Sequence, residues 1–319
     1  MVAEAARPLS TVPVEGALPA SGGGRKKGDP FRSEAIMGYL FVAPSIILFL
    51  IFVLLPAVLA LFLSFTKYDI LTPIEWVGFA NYERLTRDTL FFISMRNVAT
   101  YAVLFVPLMI VFSLALALAL NRNVPGVRFF RVVYYIPVIT SPIAAATIWT
   151  WMLHKDFGLI NRGLAVIGIN GPTWLFDPDY VLIAIVLVTL WQGVGSNVVL
   201  YLAGLQGIPR YLYEAAVLDG ADHWQMFRYV TFPSLRTTTF FVVTLSLVGA
   251  FQLFDQAYAM TGTGVGNSTR TPVYHIWETG FNRLRMGYAS SMAFTLFLLI
   301  FFITLINLRL NRNHAEELG

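Results

Sequence analysis

Two apolar stretches of the sequence carry polar and aromatic residues at spacings that suit the binding of a hydroxyl-rich solute. In the first stretch, 181–203, Trp191 and Gln192 lie near Ser196 and Asn197. Gln192 and Ser196 are four residues apart and therefore share one face of a helix. Aromatic rings cover the apolar C–H surface of a sugar, and amides and hydroxyls bind its hydroxyl groups. These four residues are predicted solute contacts.

The second stretch, 238–258, carries a similar set. Phe251 and Asp255 are four residues apart, Gln252 follows Phe251, and Tyr258 lies beyond them. Asp255 is the single acid that we place inside an apolar stretch, where an ionisable group is costly and usually faces a cavity or a partner. We predict that these four residues also contact solute. The alternative, that the polar groups of both stretches only hydrogen-bond neighbouring helices, stays open.

Motifs for catalysis or cofactor binding do not occur in the sequence. No Gly-x4-Gly-Lys-Ser/Thr is present, so the chain is not expected to hold ATP as a P-loop protein does. The glycines of 262–266 lack the dinucleotide-binding spacing and indicate a flexible outer loop. The four histidines are scattered, and the chain has no cysteine. We therefore predict no catalytic residue, no metal site and no cofactor bound by this chain.

The composition indicates that these residues are positioned by helices in a lipid bilayer. Of the 319 residues, 57% are hydrophobic and 13% are charged, whereas about a quarter are charged in ordinary soluble domains. The mean hydropathy is +0.67, and apolar residues come in blocks long enough to span a bilayer core. The net charge of +4 comes from basic residues that flank these blocks. Such residues suit anionic lipid headgroups, so we expect no nucleic-acid partner.

The predicted fold is therefore an all-α polytopic membrane protein with one six-span domain, 35–311. An N-terminal tail, 1–34, is predicted to be disordered and cytoplasmic, and 312–319 forms a second cytoplasmic tail. More than half of the 22 Lys and Arg residues lie on the side of the two termini, which favours cytoplasmic termini. The predicted spans are about 36–65, 98–120, 134–153, 181–203, 238–258 and 288–310.

The long loop between the fourth and fifth spans, 204–237, has the pattern of two short helices. Its first part, 210–219, reads as a helix on which Leu212, Ala215 and Ala216 share one face. Small residues on a helix allow close approach by a partner. The loop is therefore predicted to be structured rather than disordered.

A glycine separates the two short helices of this loop. Gly220 ends the first helix, as glycine commonly does. Asp222 and Gln225 form the pattern of a capping box for the second helix, which is predicted to end before Pro233. A helix–Gly–helix element at the membrane face suits docking to a partner protein better than it suits chemistry.

The same loop carries a family resemblance. Glu214-Ala215-Ala216, then Gly220, then Val230-x-Phe232-Pro233 resembles the EAA loop of binding-protein-dependent ABC importers. Over about residues 35–310 the chain is similar to the carbohydrate-uptake branch of that family, the MalF/UgpA type. The stretches that carry this similarity follow one another in order: Tyr39-Leu-Phe-Val-Ala-Pro44, Ser64-Phe-Thr66, Val77-Gly-Phe-Ala-Asn-Tyr82, Leu205-Gln-Gly-Ile-Pro209, Phe254-Asp255, Thr261-Gly262 and Gly287-Tyr-Ala-Ser-Ser291.

The resemblance implies a permease subunit for a sugar, oligosaccharide or glycerol-phosphate-type solute in a bacterial or archaeal plasma membrane. The implied partners are a second permease, two cytoplasmic ATPase subunits that bind ATP and Mg, and an extracytoplasmic solute-binding protein. In such importers the EAA loop transmits movement of the ATPases to the spans. The residues that the resemblance assigns to this coupling are Glu214, Ala215, Ala216, Asp219, Gly220, Ala221 and Pro233.

Three other interpretations remain at this point. The loop helix 210–219 could merely connect two spans as a surface-lying amphipathic helix. An ion-coupled secondary transporter would need intramembrane charges and often an internal repeat, and the sequence offers one marginal acid and no clear repeat. A membrane-embedded enzyme would need a cluster of titratable groups at the membrane face, which the sequence does not offer.

Overall fold

A computed structural model describes residues 30–121, 126–262 and 265–315. Most of the predicted N-terminal tail, the last four residues of the chain and part of the predicted outer loop, 263–264, lie outside the described residues. The structure falls into a unit that ends at Pro56 and a unit that begins at Ala57. The α-helices in the described part are α1 (Pro30–Phe49), α2 (Leu55–Ser64), α3 (Ala80–Leu85), α4 (Thr89–Leu120), α5 (Val127–Ile139), α6 (Pro142–Met152), α7 (Leu159–Val166), α8 (Val181–Gln206), α9 (Arg210–Leu218), α10 (His223–Met226), α11 (Phe232–Ser234), α12 (Arg236–Phe251), α13 (Asp255–Thr261), α14 (Pro272–Trp277) and α15 (Met286–Ala315).

The first apolar helix starts earlier than predicted and contains a wide turn. Helix α1 begins at Pro30, so the predicted end of the tail at residue 34 falls inside a helix. A π-helical segment, Leu50–Leu54, joins α1 to α2, and the Leu55 N–H donates to the carbonyl of Leu50. Pro56 follows at once, and because it has no N–H it cannot complete the regular α-helical ladder. The helix therefore widens into a π-turn just before this proline.

Four described helical stretches are long and apolar enough to cross a bilayer, and two bent pairs bring the number to six. The continuous stretches are Met37–Ser64, Thr89–Leu120, Val181–Gln206 and Met286–Leu310. These correspond to the first, second, fourth and sixth predicted spans. The third predicted span is one of the bent pairs. The other pair, His223–Ser234 with Arg236–Phe251, is bent by 64° and joins the second half of the loop 204–237 to the first part of the fifth predicted span.

The third span is two helices rather than one. Helix α5 ends at Ile139, α6 begins at Pro142, and the pair is bent by 101°. Ser141 is extended, with ψ at 132°, because a residue before proline is driven away from the helical region. The prediction of one span over 134–153 is wrong in this respect, and its first half begins earlier, at Val127.

The fifth span is also interrupted. Helix α12 ends at Phe251, and α13 begins at Asp255. The Gln252 N–H is shared between the carbonyls of Val248 and Gly249, which tightens and closes the last turn of α12. The predicted continuous span over 238–258 is therefore wrong. No proline marks this break in the sequence.

A two-stranded antiparallel sheet and two further π-segments complete the second unit. The strands, Thr66–Lys67 and Glu75–Trp76, pair Thr66 with Trp76 and Lys67 with Glu75. The remaining π-segments are Phe227–Thr231 and Glu278–Asn282.

The core that holds the broken helices in place is built on α4 and α8. Val98 and Met109 of α4 and Ile185 and Val188 of α8 are fully buried in one apolar cluster. Helix α5 approaches α8 closely at Gly195, where a Cβ atom would lie 2.7 Å from the Tyr134 carbonyl oxygen. Any larger residue at 195 would push α5, and with it the third-span break, away from α8.

Candidate coupling surface and solute cavity

The loop 204–237 is folded as a compact helical element, and its turn is fixed by Gly220. The Gly220 backbone has φ of +76°, a left-handed conformation that favours glycine. Its N–H donates to the carbonyl of Val217, and the Ala221 N–H donates to that of Ala216. This pair of bonds is the Schellman arrangement, which satisfies the last carbonyls of α9. The predicted helix stop at Gly220 is confirmed.

The second helix of the loop begins as predicted and ends later. Asp222 accepts a hydrogen bond from the Gln225 N–H, and the Gln225 side chain accepts one from the Asp222 N–H, so the capping box is confirmed. The helix then continues through the π-segment and α11 to Ser234. Pro233 lies in the first turn of α11, where a missing N–H is tolerated. The prediction that the helix ends before Pro233 is therefore wrong.

One side of this element is fixed to the membrane domain. The hydroxyl groups of Tyr213 in α9 and Thr231 in the π-segment are 3.0 Å apart and form a hydrogen bond. Leu212, Tyr213 and Phe227 pack against an apolar cluster that includes Leu205 and Leu235. Helix α9 is therefore packed against the residue that precedes α12, Leu235.

The other side of the element is an exposed apolar surface, which we call the coupling surface. It consists of Tyr211, Val217, Leu218 and Trp224, and Leu218 is 88% exposed. Four large apolar side chains exposed on two short helices form a patch of the kind that marks an interaction site.

The seven predicted coupling residues differ in their exposure. Glu214, Ala215, Asp219, Gly220 and Pro233 are exposed, whereas Ala216 and Ala221 are half-buried. The prediction that Leu212, Ala215 and Ala216 share one face is wrong for Ala215, which faces outward.

A polar cavity of about 460 Å³ lies in the membrane domain, where the two broken spans meet α4 and α8. Five of the eight predicted solute contacts line it, and Thr140, Ser246 and Gln256 add further polar groups. Tyr101 and Phe105, stacked at 5.1 Å, provide an aromatic wall. The five predicted residues in the lining are Gln192, Ser196, Asn197, Gln252 and Asp255.

Gln192 joins the two helix breaks. Its Nε2 donates to the Thr140 carbonyl oxygen at 3.0 Å, at the bend of the third span. Its Oε1 accepts from Gln256 Nε2 at 2.9 Å, in α13 just after the break of the fifth span. Backbone groups released at a break inside a membrane need such partners. Gln192 therefore supports the cavity frame, as the helix-bonding alternative proposed, and also lines the cavity.

Other polar groups of the cavity are available to a ligand. Ser196, Gln252 and Asp255 make no side-chain hydrogen bond to the described residues. Ser246 is 5% exposed, and its Oγ is also without a partner in the described part of the chain. Buried hydroxyls are normally paired, so an unpaired one in a cavity wall is placed to bind a ligand or water.

Three predicted solute contacts lie outside the cavity lining. Trp191 packs edge-on against Trp149 with ring centroids 5.5 Å apart. Phe251 is buried in the core, and Tyr258 stacks on Phe254 at 5.5 Å. The prediction that Phe251 and Asp255 share a helical face is wrong because the helix ends between them. Asp255 likewise opens a new helix and does not lie inside a continuous one.

At the opposite end of the domain from the coupling surface, a buried polar network joins α4, α14 and α15. Asp88 caps α4 by accepting from the N–H groups of Leu90 and Phe91. Its Oδ2 accepts a hydrogen bond from the Tyr288 hydroxyl at 2.6 Å and lies 3.2 Å from His275 Nε2. Arg270 lies 3.2 Å from His275 Nδ1, so a neutral imidazole protonated on Nε2 satisfies both contacts.

The pKa shifts agree with this assignment. Burial lowers the pKa of His275, and this effect outweighs the attraction of Asp88 for the protonated ring. Burial acts to raise the pKa of Asp88, but hydrogen bonds from Tyr288 and His275 lower it by more, so the net shift is downward. The pKa of Glu278 is lowered in the same way, with Arg270 outweighing burial.

A basic pocket of about 550 Å³ adjoins this network, and we call it the outer basic pocket. Four arginines line it together with Thr279, which is 2% exposed and has an Oγ1 without a partner in the described part of the chain. Sequence reasoning found neither the network nor the pocket, because Asp88 and His275 are far apart in the chain. The arginines are Arg84, Arg87, Arg283 and Arg285.

The polar groups of the described residues include no cluster of three or more His, Cys, Asp or Glu side chains that could hold a metal ion. The cavity instead offers amides, hydroxyls and one carboxylate beside aromatic rings. Such groups bind neutral polar solutes by hydrogen bonding.

Broken spans around a cavity lined by polar groups, with a folded helical loop at one end of the domain, are typical of a membrane permease. The family of binding-protein-dependent transport system inner membrane components matches residues 109–314. The chain belongs to this family, and it is a multi-pass membrane permease subunit of an ABC importer.

Individual relatives agree with the family assignment. The probable ABC transporter permease YesP of Bacillus subtilis is 36% identical over 88% of this chain and 92% of that protein. The arabinooligosaccharides transport system permease AraP of Halalkalibacterium halodurans is 32% identical over 88% of this chain and 89% of its own. The lactose transport system permease LacF of Rhizobium radiobacter is 34% identical over 84% of this chain and 92% of that protein.

A solved structure shows the same fold. A chain of a bacterial ABC transporter that imports the acidic polysaccharide alginate aligns with a TM-score of 0.77 at 22% identity. The alignment covers 89% of this chain and 99% of that chain. The predicted all-α permease fold is thereby confirmed.

Proposed function

We propose that this subunit passes a saccharide through the membrane domain and that ATPases docked on the coupling surface drive the passage. The single observation that carries the coupling part is the exposed apolar face of α9 and α10, held on a Schellman turn and a capping box. Such a face suits a covering partner, and the Tyr213–Thr231 bond ties α9 to the π-segment that precedes α11 and α12. ATP and Mg would be bound by this partner and not by the chain itself.

The saccharide class is supported by the chemistry of the cavity and by the relatives. Amides and hydroxyls from Gln192, Ser196, Asn197 and Gln252 line a cavity of about 460 Å³. Relatives are named for arabinooligosaccharides, lactose and sulfoquinovosyl glycerol. Free hydroxyl-binding groups beside the Tyr101 ring suit such solutes.

A solute-binding protein would deliver the saccharide at the opposite face, where the outer basic pocket lies. Arg84 and Arg285 form no ion pair with the described residues, and both line this pocket and the one beside it. Surface carboxylates of a docking protein would complement these charges. A related transporter structure was solved in complex with a ligand-bound periplasmic protein. With this arrangement the coupling surface and both termini would be cytoplasmic.

The coupling proposal can be tested by cysteine cross-linking, because the native chain has no cysteine. Leu218→Cys should cross-link to the ATPase in the assembled transporter and should react only with reagents that reach the cytoplasm. Val166→Cys is the matched control, since Val166 of α7 is 86% exposed and Leu218 is 88% exposed. Equal cross-linking of the two variants, or labelling of Leu218→Cys from outside, would reject the proposal.

Uptake by proteoliposomes tests the energy source. Import should require ATP inside the vesicle or in the medium that bathes the ATPases, and an imposed ion gradient without ATP should give no import. Gradient-driven import by the same preparation would favour the ion-coupled alternative.

A further inference from the structure

Another pocket lies between α12 and α15, at the end of the membrane domain that carries the coupling loop, 204–237. Its volume is about 470 Å³, and we call it the α12–α15 groove. Arg228 of the π-segment and Arg236, the first residue of α12, line one end. Phe240 and Val243 of α12 line the other end, and the groove is not part of the solute cavity.

The charge of the groove has no counterpart in the described structure. Neither Arg228 nor Arg236 forms an ion pair there, and no acid belongs to the described lining. The nearest interaction is the Arg228 guanidinium 5.9 Å from its neighbour's ring, Tyr229. Two guanidinium groups so close to the apolar region of the membrane attract an anion, and arginine binds phosphate oxygens through paired hydrogen bonds.

The shape of the groove selects among anions. Arg236 and Val243 are seven residues apart on one helix, which places the apolar wall roughly 10 Å from the charged end. Phe232 and Pro233 close the side of the charged end. A free phosphate would leave this apolar wall uncovered, whereas a phospholipid would place its phosphate at the arginines and an acyl chain along Phe240 and Val243.

We propose that the α12–α15 groove binds one anionic phospholipid, with the phosphate held by Arg228 and Arg236. The lipid would come from the leaflet on the coupling-loop side. Basic residues at the membrane surface attract anionic lipids, and pockets between spans bind their headgroups. Arg228 lies in the π-segment of the loop 204–237 and Arg236 begins α12, so the headgroup bridges the loop element and the helix that follows it.

The test measures lipid binding rather than transport. The purified, fully assembled transporter is titrated with phosphatidylglycerol, phosphatidylcholine and inorganic phosphate, and bound molecules are counted by native mass spectrometry. Each arginine should contribute about fivefold to phosphatidylglycerol affinity, from the roughly 1 kcal/mol that a basic residue supplies near an anionic leaflet. R228Q/R236Q should therefore weaken binding roughly 25-fold, and R228K/R236K should retain most of it.

Two controls separate this site from general attraction of lipid. Arg309 of α15 is exposed at the same end of the helix pair but does not line the groove, so Arg309→Gln should change affinity less than about twofold. Val243→Trp keeps both arginines and fills the apolar end, so it should abolish binding. A photoreactive phosphatidylglycerol should label Phe240 or Val243 in the unmodified chain.

Four results would each overturn the proposal. The first is unchanged phosphatidylglycerol affinity in R228Q/R236Q, and the second is an equal loss of affinity in Arg309→Gln. The third is displacement of the lipid by inorganic phosphate at equal concentration. The fourth is a purified transporter that retains no lipid and in which Phe240 cross-links to a second permease. Loss of ATPase association in R228Q/R236Q with unchanged lipid binding would also overturn it, because the arginines would then serve a protein partner.

Discussion

The hydrogen bonds of Gln192 allow a quantitative test of the cavity frame. Gln192→Leu keeps a side chain of similar size and removes both bonds, to the Thr140 carbonyl and to Gln256. Interhelical side-chain hydrogen bonds in membrane proteins contribute on average about 0.6 kcal/mol each, and up to about 1.7. The substitution should therefore destabilise the assembled transporter by roughly 1–3 kcal/mol.

A double-mutant cycle with Gln256→Leu isolates the bond between the two glutamines. Once Gln192 is replaced, Gln256 has already lost this partner, so the second substitution should add little. The coupling energy from detergent-induced unfolding should be about 0.6–1.7 kcal/mol. Additive effects of the two substitutions, within about 0.3 kcal/mol, would refute the reasoning.

Ser196→Ala is the matched control for the same cavity. Ser196 lines the cavity and makes no side-chain hydrogen bond to the described residues. Its loss should leave stability within about 0.5 kcal/mol while solute uptake affinity changes. If Ser196→Ala destabilised the complex as much as Gln192→Leu, the separation of frame from lining would be wrong.

The remaining predictions concern the coupling element and the buried polar network. Gly220→Val should destabilise the loop by at least about 1–2 kcal/mol, because φ at residue 220 is +76°. The variant should also hydrolyse more ATP for each solute molecule imported. An unchanged ratio of ATP to solute would contradict the proposed coupling through this loop. Tyr213→Phe removes the bond to Thr231 and should have the same effect in weaker form, at about 1 kcal/mol. The free energy of unfolding should fall as the pH drops below 6.5, by at most about 1.4 kcal/mol per pH unit. The reason is that the unfolded chain accepts a proton on His275, whereas burial lowers the pKa of this residue in the folded chain. His275→Gln should remove that slope in thermal unfolding, and the carboxyl of Asp88, with its lowered pKa, should add a second loss in more acidic solution.

The parts of the fold that depend on neighbouring residues were predictable from the sequence. Gly220 and the Asp222–Gln225 pair specify their turn and cap through bonds within a few residues, and both are confirmed. Long apolar blocks likewise located the helices α4, α8 and α15. Such features do not require knowledge of distant packing.

The helix breaks and the long-range contacts were not predictable in the same way. Nothing in Gln252-Leu253-Phe254 resembles a helix stop, and the break there depends on packing that places Gln256 against Gln192. A sequence pattern that assumes a continuous helix groups Phe251 with Asp255 and assigns Tyr258 to the cavity. Asp88 and His275 are a pair only because the fold brings α4 and α14 together.

The two hydrogen bonds of the Gln192 side chain bear on which positions of the cavity wall can be substituted. The frame of the cavity is held by the hydrogen bonds of Gln192 to the Thr140 carbonyl and to Gln256. Substitutions elsewhere in the cavity wall leave these two bonds in place. Ser196, Gln252 and Asp255 line the same cavity and make no side-chain hydrogen bond to the described residues. Substitutions at these three positions are therefore expected to alter the cavity lining one contact at a time, while the hydrogen bonds that hold its frame are kept.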